Sequence, residues 1–132
     1  LRILAIDHGT ARVGYAVCDP TETLARPVGV LPPDPDEVAR AAREERAELI
    51  VVGLPLSLSG EEGEQARVAR GFARSLAEVV DVPVETYDER LTTRLAESSR
   101  RAGAGAPPDA LAAAHLLQSY LDHRAAQRGS AP

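Results

Sequence analysis

The stretch "ELIVVGLP" at residues 48–55 constrains the fold more than any other feature. Leu49, Ile50, Val51 and Val52 run without alternation and are too few for a buried helix, so they read as a strand buried on both faces. Such a strand needs a sheet with a covering layer on each side. With 132 residues, 44% of them hydrophobic, the chain has enough material for one such domain.

The rest of the chain supplies the layers. Residues 1–7 and 13–18 read as strands, and the short link "HGTAR" with Gly9 makes them an antiparallel hairpin. A weaker third strand spans 25–31. "PPDPDE" announces a helix, with Asp34 as N-cap, Pro35 at the first helical position and Glu37 closing a capping box; it is expected to run to about Ala47. The strand 48–53 is expected to end at Gly53 and Pro55. Between Glu61 and Val80, Ala66, Ala69, Ala73, Leu76 and Val80 fall on one helical face, with Phe72 beside it. A further strand is expected at 82–87, a helix from Leu91 to Ala102, a flexible loop at 102–108, and a last, well-buried helix from Asp109 to about Arg124. Residues 1–125 then form a single domain and 126–132 a flexible C-terminal tail. A hairpin followed by alternating helices and strands is an α/β order, and predicts a five-stranded mixed sheet with helices on both faces.

Composition excludes some functions. The net charge of −5 argues against a general polyanion binder. All 15 basic residues are Arg, a side chain suited to forked phosphate contacts, although an Ala-rich, Lys-free chain also reflects genomic composition. The lone Cys18 forms no internal disulfide, fits a reducing compartment and reads as a core thiol. No apolar stretch is long enough to span a membrane. A cytoplasmic location, with no membrane partner, is the expectation.

Three acids occupy positions where acids are costly. Asp7 shares a strand face with Leu1, Ile3 and Ala5. Glu89 lies just after the strand 82–87, and Asp109 opens an apolar helix after Pro107 and Pro108. In a parallel arrangement the C-terminal ends of strands 48–53 and 82–87 open at one sheet edge, where ligands bind. If the first strand lies beside them, the three carboxylates meet there and repel unless a cation intervenes. Oxygen-only ligands suit Mg²⁺ or Mn²⁺, and two such ions clamp a phosphoryl displacement. Plainer readings stand beside this one: Asp109 as a helix cap, Glu89 as a solvated turn residue, Asp7 as the end of its strand.

The segments "AIDHGTARVGYAVCD", "IVVGLP", the loop holding Gly60, "YDERLTT" and "DALAAAHLLQSYLD" occur in this order and together resemble the YqgF family, also called RuvX. Members are nucleases for the small-subunit (16S) ribosomal RNA precursor, and were also proposed as Holliday junction resolvases. The resemblance covers nearly the whole chain and implies an RNase H-like fold. It implies a metal-dependent endonuclease-type hydrolase whose catalytic and metal-holding acids are Asp7, Glu89 and Asp109. It also implies Mg²⁺ or Mn²⁺, two ions, as cofactor, and precursor rRNA or branched DNA as nucleic-acid partner. Two segments depart from the family pattern. The loop before Asp109 reads "AGAGAPPD", with only Arg100 and Arg101 upstream where several basic residues are usual, and Ser57 and Ser59 stand where Asn and Asp are usual. Both changes bear on substrate binding and leave the acids in place.

Around the acids, Thr10 and Arg12 on the hairpin, and Arg90, Thr92 and Thr93 after Glu89, are candidate substrate contacts; Arg12 forks onto a phosphate in this reading. The alternatives are a solvated Arg12 and a Thr92 that caps the next helix. Asp88 and His8 point away from the acids, and His115, about 120° around its helix from Asp109, reads as packing or surface. Tyr120 and Phe72 read as core, and so few aromatic residues disfavour sequence-specific reading of unpaired bases. Two rival functions remain. Actin-like sugar kinases share an Asp-x-Gly-Thr hairpin but need two such domains. A non-catalytic ribosome-assembly or transcription-associated nucleic-acid-binding module would fit the thin basic patch. A homodimer would be required for junction resolution, and no dimer face is identifiable in the sequence.

Overall fold

The structure, a computed structural model, describes residues 1–92 and 105–129. The elements are β1 (Ile3–His8), β2 (Val13–Cys18), β3 (Ala25–Leu31), α1 (Pro35–Glu44), β4 (Leu49–Leu54), α2 (Glu64–Val79), β5 (Val84–Asp88), one 3₁₀ turn (Glu89–Leu91) and α3 (Pro108–Gly129). The sheet order is β3-β2-β1-β4-β5. β1 runs antiparallel to β2 and parallel to β4, and β5 is parallel to β4. This is the five-stranded mixed sheet expected from the element order.

All six residues of β4 are buried, as its unbroken apolar run requires. Helices cover both faces. On one, Val38, Ala39 and Ala42 of α1 and Phe72, Ala73 and Leu76 of α2 pack on Leu4, Ile6, Val13, Val17, Ile50 and Val52. On the other, α3 packs Ala113, Leu116, Leu117, Tyr120 and Leu121 on Ile3, Ala5, Ala16, Leu49, Val51 and Tyr87. The strand alternation therefore assigns odd residues of β1 to the α3 side and even residues to the α1/α2 side. Cys18 is buried in the α3 layer, with Sγ 3.2 Å from the Ile3 amide nitrogen. Pro27 sits in β3, an edge strand, where a missing N–H costs least.

Several boundaries differ from the sequence expectation, each for a local reason. Asp34 caps α1 as expected, its side chain accepting from the Asp36 N–H at 2.9 Å. Glu37, however, pairs with Arg40 instead of closing the capping box. α1 stops at Glu44 because Arg46 adopts φ +57 and the Ala47 N–H returns to the Ala42 carbonyl at 2.9 Å, a left-handed helix ending without glycine. β4 continues through Gly53 to Leu54. α2 starts at Glu64, and β5 covers Val84–Asp88. α3 extends beyond Arg124 to Gly129, and Arg124 and Arg128 both pair with Glu22 at the β2–β3 turn. Of the helix expected from Leu91 to Ala102, residues 93–102 lie outside the described residues; Leu91 itself belongs to the 3₁₀ turn.

Candidate active site

β1, β4 and β5 are parallel neighbours, so their C-terminal ends share one edge of the sheet. Asp7 lies near the end of β1, on the α3 side with Ile3 and Ala5. Glu89 begins the 3₁₀ turn directly after β5. β4 lies between them, and the residue of β4 that would fill the gap is Gly53, register partner of Tyr87. A β-carbon there would stand 3.2 Å from Glu89 Cγ and 2.9 Å from Leu116 Cδ2. The missing side chain makes room for Glu89 to cross β4 and hydrogen-bond Asp7.

Two carboxyls in contact cannot both ionise freely. Burial raises the pKa of Asp7, the hydrogen bond from Glu89 opposes that rise, and the charge of Asp109 adds to it. Glu89 is pushed up to about 7, first by burial, then by the Asp7 charge and its bond to Asp7, with a smaller push from Asp88. The pair therefore tends to keep one proton between its two carboxyls rather than carry two charges.

Asp109 reaches this edge by another route. Gly14 of β2 is the register partner of Asp7, and its bare Cα packs on the first turn of α3 at Asp109. Asp109 is the second residue of α3, whose first turn favours an acid. Its side chain turns to Arg12 on the β1–β2 hairpin, at 2.6 Å. The Gly9 N–H donates to the Arg12 carbonyl at 2.9 Å and closes that hairpin.

The structure thus brings Asp7 and Glu89 together and leaves Asp109 in electrostatic reach but paired elsewhere. Among the described residues no three acidic, His or Cys side chains already close on a metal position. The donor set is nevertheless all carboxylate, and a cation between Asp7 and Glu89 would offset the burial and the charge repulsion that raise both pKa values. In chemistry such a set of oxygen donors fits a hard divalent ion.

The remaining candidates divide. Thr10 is exposed on the hairpin. Arg90 is engaged: its guanidinium forks onto Asp88, at 2.9 and 2.6 Å from Oδ2, and reaches the Leu58 carbonyl at 3.2 Å. It thereby fastens the loop after β4, where Gly60 adopts φ +88 and Ser57 bonds Ser59 and the Glu61 N–H. The Thr92 N–H closes the 3₁₀ turn onto the Glu89 carbonyl at 3.1 Å; Thr93 lies outside the described residues. Asp88 is structural, bonding the Arg90 N–H and guanidinium. His8 faces the other layer, 4.6 Å from the Phe72 ring, and His115 is buried in α3.

Sequence reasoning missed three supports. Gly14 and Gly53 were legible as glycines inside apolar strands, a mark of close approach. Ser119, fully buried, donates to the Leu91 carbonyl at 2.9 Å and bonds Tyr87 Oη at 2.8 Å, clamping the strand and turn on either side of Glu89. Nothing in its sequence context marks it.

The sheet order and the acid-bearing edge define an RNase H-like fold. RuvC from Thermus thermophilus superposes with a TM-score of 0.66 over 96% of this chain and 97% of that one, at 17% identity. The fowlpox virus Holliday junction resolvase gives 0.55 over 93% of this chain and 99% of that one, at 13% identity. The chain belongs to the RuvX family, whose profile, described as Holliday junction resolvase, matches residues 1–123. A relative from Anaeromyxobacter sp. (strain Fw109-5) is 44% identical over 94% of this chain and 98% of its own length. One from Chloroflexus aggregans is 40% identical over 92% of this chain and 94% of its own. Both carry the name "Putative pre-16S rRNA nuclease". The chain is a nuclease of that family. Among the described residues no helix is long and apolar enough to cross a membrane.

Proposed function

We propose that this nuclease hydrolyses phosphodiester bonds of the 16S rRNA precursor, with Asp7, Glu89 and Asp109 as its catalytic acids and Mg²⁺ or Mn²⁺ as its cofactor. The observation that carries the reading is the Asp7–Glu89 pair, brought together across Gly53 at the edge where three parallel strands end. The substrate rests on the relatives' name and their near full-length match.

In this reading Asp7 and Glu89 hold the cation and Asp109 completes its ligands. Bound there, one or two such ions supply positive charge to the scissile phosphate and to the attacking and departing oxygens. Asp7 stands on a strand paired on both sides, which fixes its backbone more firmly than a loop would. The Tyr87–Ser119–Leu91 bonds hold the turn that aims Glu89. A cation held there would favour the ionised form of Glu89, whose pKa is otherwise raised. Arg12, Thr10, Arg90 and Thr92 line the approach from the hairpin and from the β5 end, and Arg12 is the exposed cation that meets the phosphate backbone.

Cleavage of branched DNA is the second reading, favoured by the family description and by the RuvC-like sheet. It calls for a homodimer that presents two sites. Incubation of the protein with 16S precursor RNA and with a four-way DNA junction, each with Mn²⁺ and with chelator, tests both. Metal-dependent shortening of the RNA that Asp7→Asn abolishes is the expected result. Cutting of the junction alone, by a species of dimer mass, favours the second reading.

A further inference from the structure

Arg12 holds Asp109 at 2.6 Å, and in that position the Asp109 carboxylate acts on Asp7 through its charge while, among the described residues, no three acidic, His or Cys side chains close on one metal position. The backbone of Asp109 cannot carry it over, because Gly14 already touches it: a β-carbon on Gly14 would lie 1.9 Å from the Asp109 carbonyl oxygen. Only rotation of the Asp109 side chain changes which groups it faces. The Arg12–Asp109 pair is open to water, with side chains 67% and 38% exposed, and such pairs break at little cost. A guanidinium offers a phosphate the same fork that it offers a carboxylate. Arg12 is also placed on the link that joins β1, the strand of Asp7, to β2.

We propose that Arg12 is a positioning residue that exchanges Asp109 for a phosphate of the nucleic-acid backbone, so that the Asp109 carboxylate turns to the Asp7–Glu89 pair only when substrate is bound. The proposal rests on the reading of these acids as holders of a divalent cation. Free protein then binds the cation with an incomplete set, and nucleic acid and cation strengthen each other's binding through one side chain. The arrangement keeps a complete hydrolytic centre from forming in the absence of substrate.

The test is Mn²⁺ binding to the free protein, without nucleic acid, followed by the electron paramagnetic resonance of unbound Mn²⁺. Arg12→Ala is expected to bind Mn²⁺ at least about fivefold more tightly than the parent. Asp109→Asn added to Arg12→Ala is expected to return the affinity to the parent's, because the gain runs through that carboxylate. Equal or weaker binding by Arg12→Ala overturns the proposal. So does a gain that survives in the double variant, which would mark simple removal of a positive charge. Asp7→Asn separates this from the underlying reading. If it abolishes Mn²⁺ binding while Arg12→Ala changes nothing, only the role of Arg12 is lost. If the parent binds no Mn²⁺ at all, the cation reading falls and this proposal with it. Thermal melts of each variant establish that it is folded.

Discussion

Gly14 and Asp109 meet backbone to backbone: a β-carbon at position 14 would lie 1.9 Å from the Asp109 carbonyl oxygen and 2.2 Å from its carbonyl carbon. Because Gly14 is also the register partner of Asp7, one glycine sets the separation between the strand acid and the helix acid. Close packing with no yielding side chain turns that contact into a sharp constraint.

Gly14→Ala is therefore expected to destabilise the protein by about 3 kcal/mol, the upper end of ordinary overpacking, since the clash is with backbone. Thermal unfolding reads the loss directly. A melting temperature equal to the parent's would mean that α3 slides freely on β2.

Gly53→Ala is expected to do less to stability and more to cleavage. Its β-carbon would press on the end of Leu116 at 2.9 Å, a side chain that can give, and on Glu89 Cγ at 3.2 Å. A cost of about 1 kcal/mol is expected. Cleavage should fall by an order of magnitude or more, because Glu89 is the group displaced and displacements well under 1 Å matter at such sites. The ratio of the two effects, from melts and from initial rates, is the measurement. Stability loss without rate loss would remove Gly53 from the site.

The sheet was legible because its signals are local. The unbroken run of β4 required cover on both faces, and the short Gly9 link required a hairpin. Strand order brought Asp7 and Glu89 to one edge, but their meeting across β4 depends on the gap at Gly53. What escaped depends on partners far away in the chain. Arg46 ends α1 in a left-handed conformation with no glycine to announce it. α3 reaches Gly129 where Arg124 and Arg128 find Glu22, about a hundred residues earlier. The turn of Asp109 toward Arg12 depends on a hairpin 97 residues upstream, and only a fold can place that hairpin. Gly53 had looked like the end of a strand because spacing does not distinguish a stop from a gap left for a neighbour's side chain.

The Asp7–Glu89 proton gives stability a pH signature in chelator. Glu89 has an ordinary value of 4.5 and rises to about 7 in the folded protein. Between those values the folded state holds a proton that the unfolded chain has released. Its contribution to stability is therefore complete below about pH 4.5 and is lost as pH rises through about 7. His8, lowered by burial, works in the opposite direction, so the comparison with Glu89→Gln carries the test. The parent should lose more melting temperature than Glu89→Gln between pH 5 and pH 8. Parallel profiles would show that Glu89 shares no proton with Asp7.

Asp7→Asn distinguishes an acid placed for chemistry from one placed for structure. Asp7 is half-buried, caps no helix, and has its ionised form disfavoured by burial and by the Asp109 charge. Among the described residues the group that supports its charge is Glu89, and an amide at position 7 can still accept from Glu89 or donate to it. Removing the charge near neutral pH without metal should leave stability equal to the parent's or raise it by about 1 kcal/mol, after screening trims the repulsion. The same variant should lose cleavage, and with it most of the melting-temperature gain that Mn²⁺ gives the parent. A carboxylate that served mainly to bond the surrounding backbone would behave in the reverse way, costing about 1–3 kcal/mol on replacement while leaving turnover intact. Melts of both proteins in chelator and in Mn²⁺, beside a cleavage assay, separate the two. If Asp7→Asn melts well below the parent in chelator and still cuts with metal, Asp7 is a structural acid, and the catalytic role passes to Glu89 and Asp109 alone.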